Sequence, residues 1–253
     1  GDVTTNDGLV ISANNFIYDK LKNVLNANGN VVINDKINNY KIFSNDITYI
    51  KDQETIYSND NTRAEIDSRY EIESKDVVFL KKENILNSNS KTKIIDRESK
   101  TLYKLDLFNF DILNEILKGE KILVNLNYNL PENDKLFFEN GIFNLKEKSF
   151  VAKNVDILLK KNIFDNNEND PRLSGVSAKG KKNSTIINKG IFTSCKKKDG
   201  CPPWLITAKE IKHDKNKKQL IYKDAILKVY NVPILYFPKF FHPDPTVKRQ
   251  SGL

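Results

Sequence analysis

The sequence predicts an all-β protein, elongated and assembled from repeated two-strand units that share one continuous interior. Three observations predict it. Strand-forming Ile, Val, Phe, Tyr and Thr dominate the apolar positions, whose spacing is closer to alternation than to a helical 3.6. The chain repeats itself with a period near 31 residues, and polar turn-like pieces punctuate every copy.

The repeat is read by ungapped comparison. Ile11-Ser-Ala-Asn-Asn-Phe-Ile-Tyr-Asp-Lys aligns with Ile42-Phe-Ser-Asn-Asp-Ile-Thr-Tyr-Ile-Lys and with Ile72-Glu-Ser-Lys-Asp-Val-Val-Phe-Leu-Lys. Further copies begin near Tyr103, Leu136, Leu173 and Ile206, so seven units cover almost the whole chain. One apolar column holds Ile11, Ile42, Ile72, Tyr103, Leu136, Leu173 and Ile206. A second holds Tyr18, Tyr49, Phe79, Phe110 and Phe143, then lapses at Gly180 and His213. A third holds Leu25, Ile56, Leu86, Leu117, Phe150, Ile187 and Leu220. Asp19-Lys20, Lys51-Asp52 and Lys81-Lys82-Glu83-Asn84 read as turns, which makes each unit a pair of short strands. Such a unit cannot bury its own apolar face, and stacking on its neighbours does. Leu107 to Leu117 has a helical look in isolation, but it fills the fourth unit's slot and is read as strand. Asp165 to Pro171 is a polar, proline-ended loop where the repeat degrades.

Composition narrows the class. With 253 residues, 39% hydrophobic and 29% charged, the chain can bury a sizeable core, and no apolar run has the ~20 residues of a membrane-spanning helix. Gly1-Asp2-Val3-Thr4 lacks a signal pattern and Met is absent, so a mature chain or an excised piece is expected. The net charge is +8, yet only Arg63, Arg69, Arg97, Arg172 and Arg249 are arginines, which argues against a nucleic-acid partner. Abundant lysine and asparagine together match a codon bias towards A and T. A lysine-lined path for an anionic ligand is the other reading. Cys195 and Cys201, with five residues between them, suit an oxidising compartment and a disulfide better than a metal, because His213 and His242 lie far along the chain.

Catalytic patterns are sparse. Gly175 to Lys182 imitates a phosphate loop through Gly180-Lys181 but has Lys182 where a Ser or Thr should bind magnesium. No catalytic residue, cofactor or metal site is assigned, and the protein is read as a non-enzyme. A carboxylate pair of glycosidase type remains an alternative, as does a closed β-solenoid or sandwich serving as scaffold or adhesin.

The C-terminal stretch carries a resemblance. Cys201-Pro-Pro-Trp204, Ala208-Lys-Glu-Ile-Lys-His-Asp214, Ile221-Tyr222-Lys-Asp-Ala225, Val232-Pro-Ile-Leu-Tyr-Phe-Pro238 and Phe241-His-Pro-Asp-Pro-Thr-Val-Lys-Arg-Gln-Ser-Gly252 follow in order. Together they resemble the LptD family of lipopolysaccharide-assembly proteins, also called organic solvent tolerance proteins. The upstream repeat resembles, by pattern, the OstA-type β-jellyroll or β-taco, two facing antiparallel sheets with an open V-shaped groove.

The resemblance implies a periplasmic domain over residues 1–241, with 242–253 linking to an outer-membrane barrel that this sequence lacks. It implies lipopolysaccharide as the ligand and a place at the periplasmic face of the outer membrane. The implied partners are the bridge protein LptA at the N-terminal edge, around Leu9 to Tyr18, and the lipoprotein LptE through the barrel. Phe16, Ile47, Val77 and Phe108, with Leu25, Ile56, Leu86 and Leu117, are the candidate groove residues. Family members link cysteines of this domain to the barrel, so a Cys195–Cys201 bond and a bond to the barrel both stand. Trp204 is read as a core plug rather than a ligand stacker. Pro233 and Pro238 mark a strand edge, and Pro243 and Pro245 stiffen the exit.

Overall fold

A computed structural model describes residues 1–5, 8–130, 133–159, 170–196, 202–244 and 247. The described chain is all-β apart from one short 3-10 turn, and its described strand pairings are antiparallel. It divides into two compact units, Gly1–Lys121 and Ile122–Leu253.

The first unit begins with β1 (Asp2–Thr4), β2 (Val10–Ser12), β3 (Asn15–Asp19), β4 (Val24–Asp35) and β5 (Tyr40–Ile50). It continues with β6 (Thr55–Ser58), β7 (Asn61–Ile66), β8 (Tyr70–Lys75), β9 (Val78–Leu80) and β10 (Ile85–Ser88). β11 (Thr92–Asp96), β12 (Thr101–Leu105) and β13 (Leu107–Asp111) follow, and the unit boundary falls inside β14 (Ile116–Leu126). The second unit holds β15 (Lys135–Asn144), β16 (Ser149–Leu158), β17 (Arg172–Lys181), β18 (Ser184–Thr193), β19 (Trp204–Asp214), β20 (Gln219–Val229) and β21 (Val232–Pro243). Leu107 to Leu117 is strand, turn and strand, because its apolar residues serve a two-residue period.

Each unit is a sandwich of two layers, and each repeat passes through both. In the first unit the early half of β4 pairs with β3 and its later half with β2, with a register shift between Asn28 and Val31. One layer therefore contains β1, β2, β7, β8, β11 and β12, and the other contains β3, β6, β9, β10 and β13. β4 and β5 run through both. Tyr40 meets Phe79 at 5.3 Å and Tyr70 meets Phe110 at 5.4 Å, both edge to face, so the two layers pack against each other.

The repeat columns become ladders. The first column runs Ile11–Ile33–Ile42–Ala64–Ile72–Ile94–Tyr103 through successive paired strands, each residue buried. The second and third columns interleave in the other layer as Tyr18–Leu25–Tyr49–Ile56–Phe79–Leu86–Phe110–Leu117. Only Tyr18, on the outermost strand of that layer, is exposed. Ladder pairing explains the period: a turn and two strands return each column to the same register one hairpin later.

The second unit repeats the plan with strands that cross both layers unbroken. Leu136–Ile157–Leu173–Phe192–Ile206–Leu227 forms one ladder and Phe143–Phe150–Gly180–Thr185–His213–Leu220 the other. Phe138 lies 5.4 Å from Phe150, and Phe192 lies 6.3 Å from Tyr222, joining the layers as in the first unit. The lapses in the second column have physical causes. A Cβ on Gly180 would fall 2.1 Å from Phe150, whose ring takes that space. His213 is buried because Asp244, itself buried, meets its Nε2 at 2.9 Å.

Candidate functional site

The candidate site is the interior between the layers, with its two margins. One margin is a crease, where the chain steps from layer to layer; the other is a pair of lips made by the hairpin turns.

At the crease of the first unit lies the row Phe16–Ala27–Ile47–Ser58, continued by Ser88–Phe108–Gly119. Val77 accepts the Ser58 backbone N–H at 2.9 Å and so bridges the two stretches. Large and small residues alternate because the outgoing strand of each hairpin carries the bulky one. Ile47, Val77 and Phe108 are buried, and Phe16 is half-buried near the first strands. Leu25, Ile56, Leu86 and Leu117 are all buried, nearer the lips. The two candidate columns thus face the same interior at different depths.

The repeat comparison missed the hydroxyls among them. Ser44 and Ser58 share a hydrogen bond of 2.9 Å, Ser58 also bonds Thr62, and Ser74 bonds Thr92 at 2.7 Å. Ser88 donates to the Lys75 carbonyl at 2.5 Å. These side chains satisfy one another and the backbone where the strands break, which is why buried serines are tolerated there. Their sequence signal was a Ser or Thr beside each short link, as at Ser58-Asn-Asp-Asn-Thr62.

The lips of the first unit are tied by charge. Arg69 holds Asp96 with two bonds, Nε–Oδ1 at 3.1 Å and Nη2–Oδ2 at 3.0 Å, and donates Nη1 to Glu115 at 3.0 Å. The Tyr70 hydroxyl donates to the same Glu115 oxygen at 2.5 Å, with the guanidinium 4.6 Å from the Tyr70 ring centre. Arg69, Tyr70 and Asp96 belong to one layer and Glu115 to a turn of the other, so this cluster bridges the lips. Burial pushes the Asp96 carboxyl up, but hydrogen bonds from Arg69 and the Ser99 amide outweigh it and hold the group below the usual range. Burial first, then the bond to Glu115, drives the Tyr70 hydroxyl well above its ordinary value.

The remaining predicted residues fall as follows. Cys195 is half-buried, its Sγ 3.7 Å from the Trp204 carbonyl, and Cys201 lies outside the described residues. Trp204 begins β19, half-buried, its ring 6.0 Å from Phe192. Gly175 to Lys181 is strand, so the phosphate-loop imitation is extended backbone. Most of the polar loop 165–171 lies outside the described residues, with Asp170 and Pro171 described. His242 and Pro243, expected to open the linker, still pair with Leu220 and Gln219; Pro245 lies outside the described residues. β2 is flanked by β1 and β4, so Leu9 to Ser12 is not a free edge. The outer strand of that layer is β1, and in the facing layer it is β3, which pairs with β4.

Compared with known proteins, the chain matches no family model and no curated protein sequence.

Proposed function

We propose that this chain binds lipopolysaccharide and conducts it, as the periplasmic part of an LptD-type protein, from a bridge protein of LptA type towards an outer-membrane translocon with LptE. The observation that carries this reading is the pair of facing apolar ladders, which run from strand to strand without a polar interruption in the first unit. Acyl chains gain about 0.8 kcal/mol for each methylene moved from water into such a lining. The packed rings mean that lipid enters only as the layers part, pivoting at the crease and opening at the lips. Sugars and phosphates then stay at the lips, in water. No bond is made or broken, and the energy for directed movement comes from outside the chain.

A second reading has its own support. The ring contacts between layers and the Arg69–Glu115 bridge also suit a permanently closed sandwich acting as a scaffold.

Photo-crosslinking separates the two. Benzoyl-phenylalanine at Phe16, Ile47, Val77 or Phe108 is expected to capture lipopolysaccharide, and the same group at Lys51 or Lys82, in the turns, is not. If no position in either apolar column captures lipid in a folded protein, the conduit reading fails and the scaffold stands.

A further inference from the structure

The lip of the second unit carries a feature that the interior does not use. Three hairpin turns of one layer lie side by side: Lys146 to Lys148, Lys182-Asn183 and Lys215 to Lys218. The Lys182 N–H donates to the Lys148 carbonyl at 2.9 Å, and the Lys215 N–H to the Asn183 carbonyl at 2.9 Å. The turns therefore form one continuous rim. Its lysines are exposed, and Glu147 is the one acid within these three turns, with Asp214 just before the last. Asp214 accepts the Lys217 N–H at 3.1 Å and stands 3.5 Å from Lys212, so its charge is committed locally.

Backbone conformation adds an independent observation. Lys148, Lys182 and Lys218 have φ of 51°, 43° and 49°, a left-handed region where Gly and Asn are favoured over lysine. The corresponding turns of the first unit place Asn23, Glu54, Asn84 and Glu115 there. Three successive lysines at a position that disfavours them concentrate positive charge where the first unit has neutral or negative residues.

Beside the rim, on the outward face, a shallow groove of about 460 Å³ crosses β15 to β18. Ile142, Val151 and Ile186 line it, together with Lys179 and Lys181. Ile142 is 51% exposed and Val151 62%, an apolar strip left open to solvent next to a row of ammonium groups. Lysine stems can lie along such a strip while their heads reach outward.

We propose that this rim and groove form a docking surface for an anionic lipid bilayer, with lysines meeting phosphate headgroups and the apolar strip entering the boundary of the acyl region. Charge complementarity selects this occupant: lysines attract anionic headgroups as point charges, without the geometric fork that arginine brings to a specific protein or nucleic-acid partner. An exposed aliphatic strip alongside fits the amphipathic boundary of a bilayer and has no role for a free phosphate. The surface lies outside the interior, so it does not depend on what the interior carries.

The test uses the full chain and co-sedimentation with vesicles of phosphatidylcholine, with and without phosphatidylglycerol. Binding is expected on the anionic vesicles alone and is expected to weaken with salt. The triple variant Lys182→Glu, Lys217→Glu, Lys218→Glu should lose about tenfold or more in affinity. A control of equal charge change in the first unit, Lys36→Glu, Lys51→Glu, Lys82→Glu, should stay within about twofold. Glutamate already occupies the left-handed turn position at Glu54 and Glu115, so the fold accepts the change at Lys182 and Lys218. Val151→Ser, at a side chain with little packing to lose, should weaken binding about threefold through the lost apolar contact. Equal losses in the two triple variants would reduce the effect to net charge and overturn the site. So would equal binding to neutral vesicles, full competition by inorganic phosphate, or an unchanged affinity for Val151→Ser.

Discussion

The two units carry the same three apolar columns but bend and close them differently. In the first, β6 to β13 break at the crease and Ser and Thr side chains fill the gaps, as at Ser58, Thr62, Ser74, Ser88 and Thr92. In the second, the strands cross unbroken, bent at left-handed Asn154, Lys189 and Asp224, with Gly141, Ala152, Gly175, Gly190 and Ala208 keeping the inside of the bend small. At the lips the first unit is tied by Arg69 and sets acids such as Asp52, Glu54 and Glu83 among its lysines, while the three rim turns of the second hold lysines with Glu147 as their one acid. An apolar repeat specifies what lies inside, and leaves the joints to be solved separately.

Substitutions in both units probe that contrast. Arg69→Ala should be the most damaging, because it strands Asp96, at 2% exposure, without its partner. Loss of one member of a buried pair costs about 3 kcal/mol, read by urea denaturation. Arg69→Lys should recover only part, lacking the two-pronged grip. The same cluster sets a pH dependence. Asp96 titrates below its unfolded value, so its stabilisation is complete above about pH 4 and is lost as pH falls through the folded pKa. Asp35, also in the first unit, is lowered too, through hydrogen bonds from Asn38 that outweigh its burial, and adds to the same acid limb. Thermal melts from neutral to acid pH should fall in that window, and Asp96→Asn should flatten the fall. An unaltered acid limb in that variant would remove Asp96 from the account.

In the second unit, Gly180→Val places a branched side chain where Phe150 sits and should cost about 2 kcal/mol. Combined with Phe150→Ala, the total should be less than the sum, a coupling that a double-mutant cycle measures. Ser58→Ala at the first crease should cost about 1 kcal/mol, since Ser44 and Thr62 each lose a partner. Lys217→Ala should change stability by under about 0.5 kcal/mol, because that exposed side chain offers charge to solvent rather than cohesion. A large loss there would mean that the second lip is also structural.

Much of the fold was legible because its cause is local and repeated. Alternation marks a strand, a polar quartet marks a turn, and columns at fixed spacing mark residues that meet on stacked hairpins. Ile11, Ile42 and Ile72 announce their shared ladder by recurring, and the strand reading of Leu107 to Leu117 followed from its slot in the repeat. The sequence alone also pointed to the eight candidate groove residues, which line one interior. Their depth was not legible, because alternation does not say which inward row lies at the crease and which at the lip.

Other features were decided only by tertiary structure, because they join residues that no period relates. Arg69, Asp96 and Glu115 come from three separate turns, and only the closing of two layers brings them together. The interruptions at Gly180 and His213 have tertiary causes: Phe150 takes the space beside Gly180, and Asp244 pairs with the buried His213 ring. The lysine rim was hidden within a lysine-rich composition. It emerged once hairpin stacking set Lys148 beside Lys182, and Lys215 beside Asn183, on one edge. Periodicity encodes the interior, where every repeat meets the same neighbours; the margins depend on which turns the completed sandwich brings side by side.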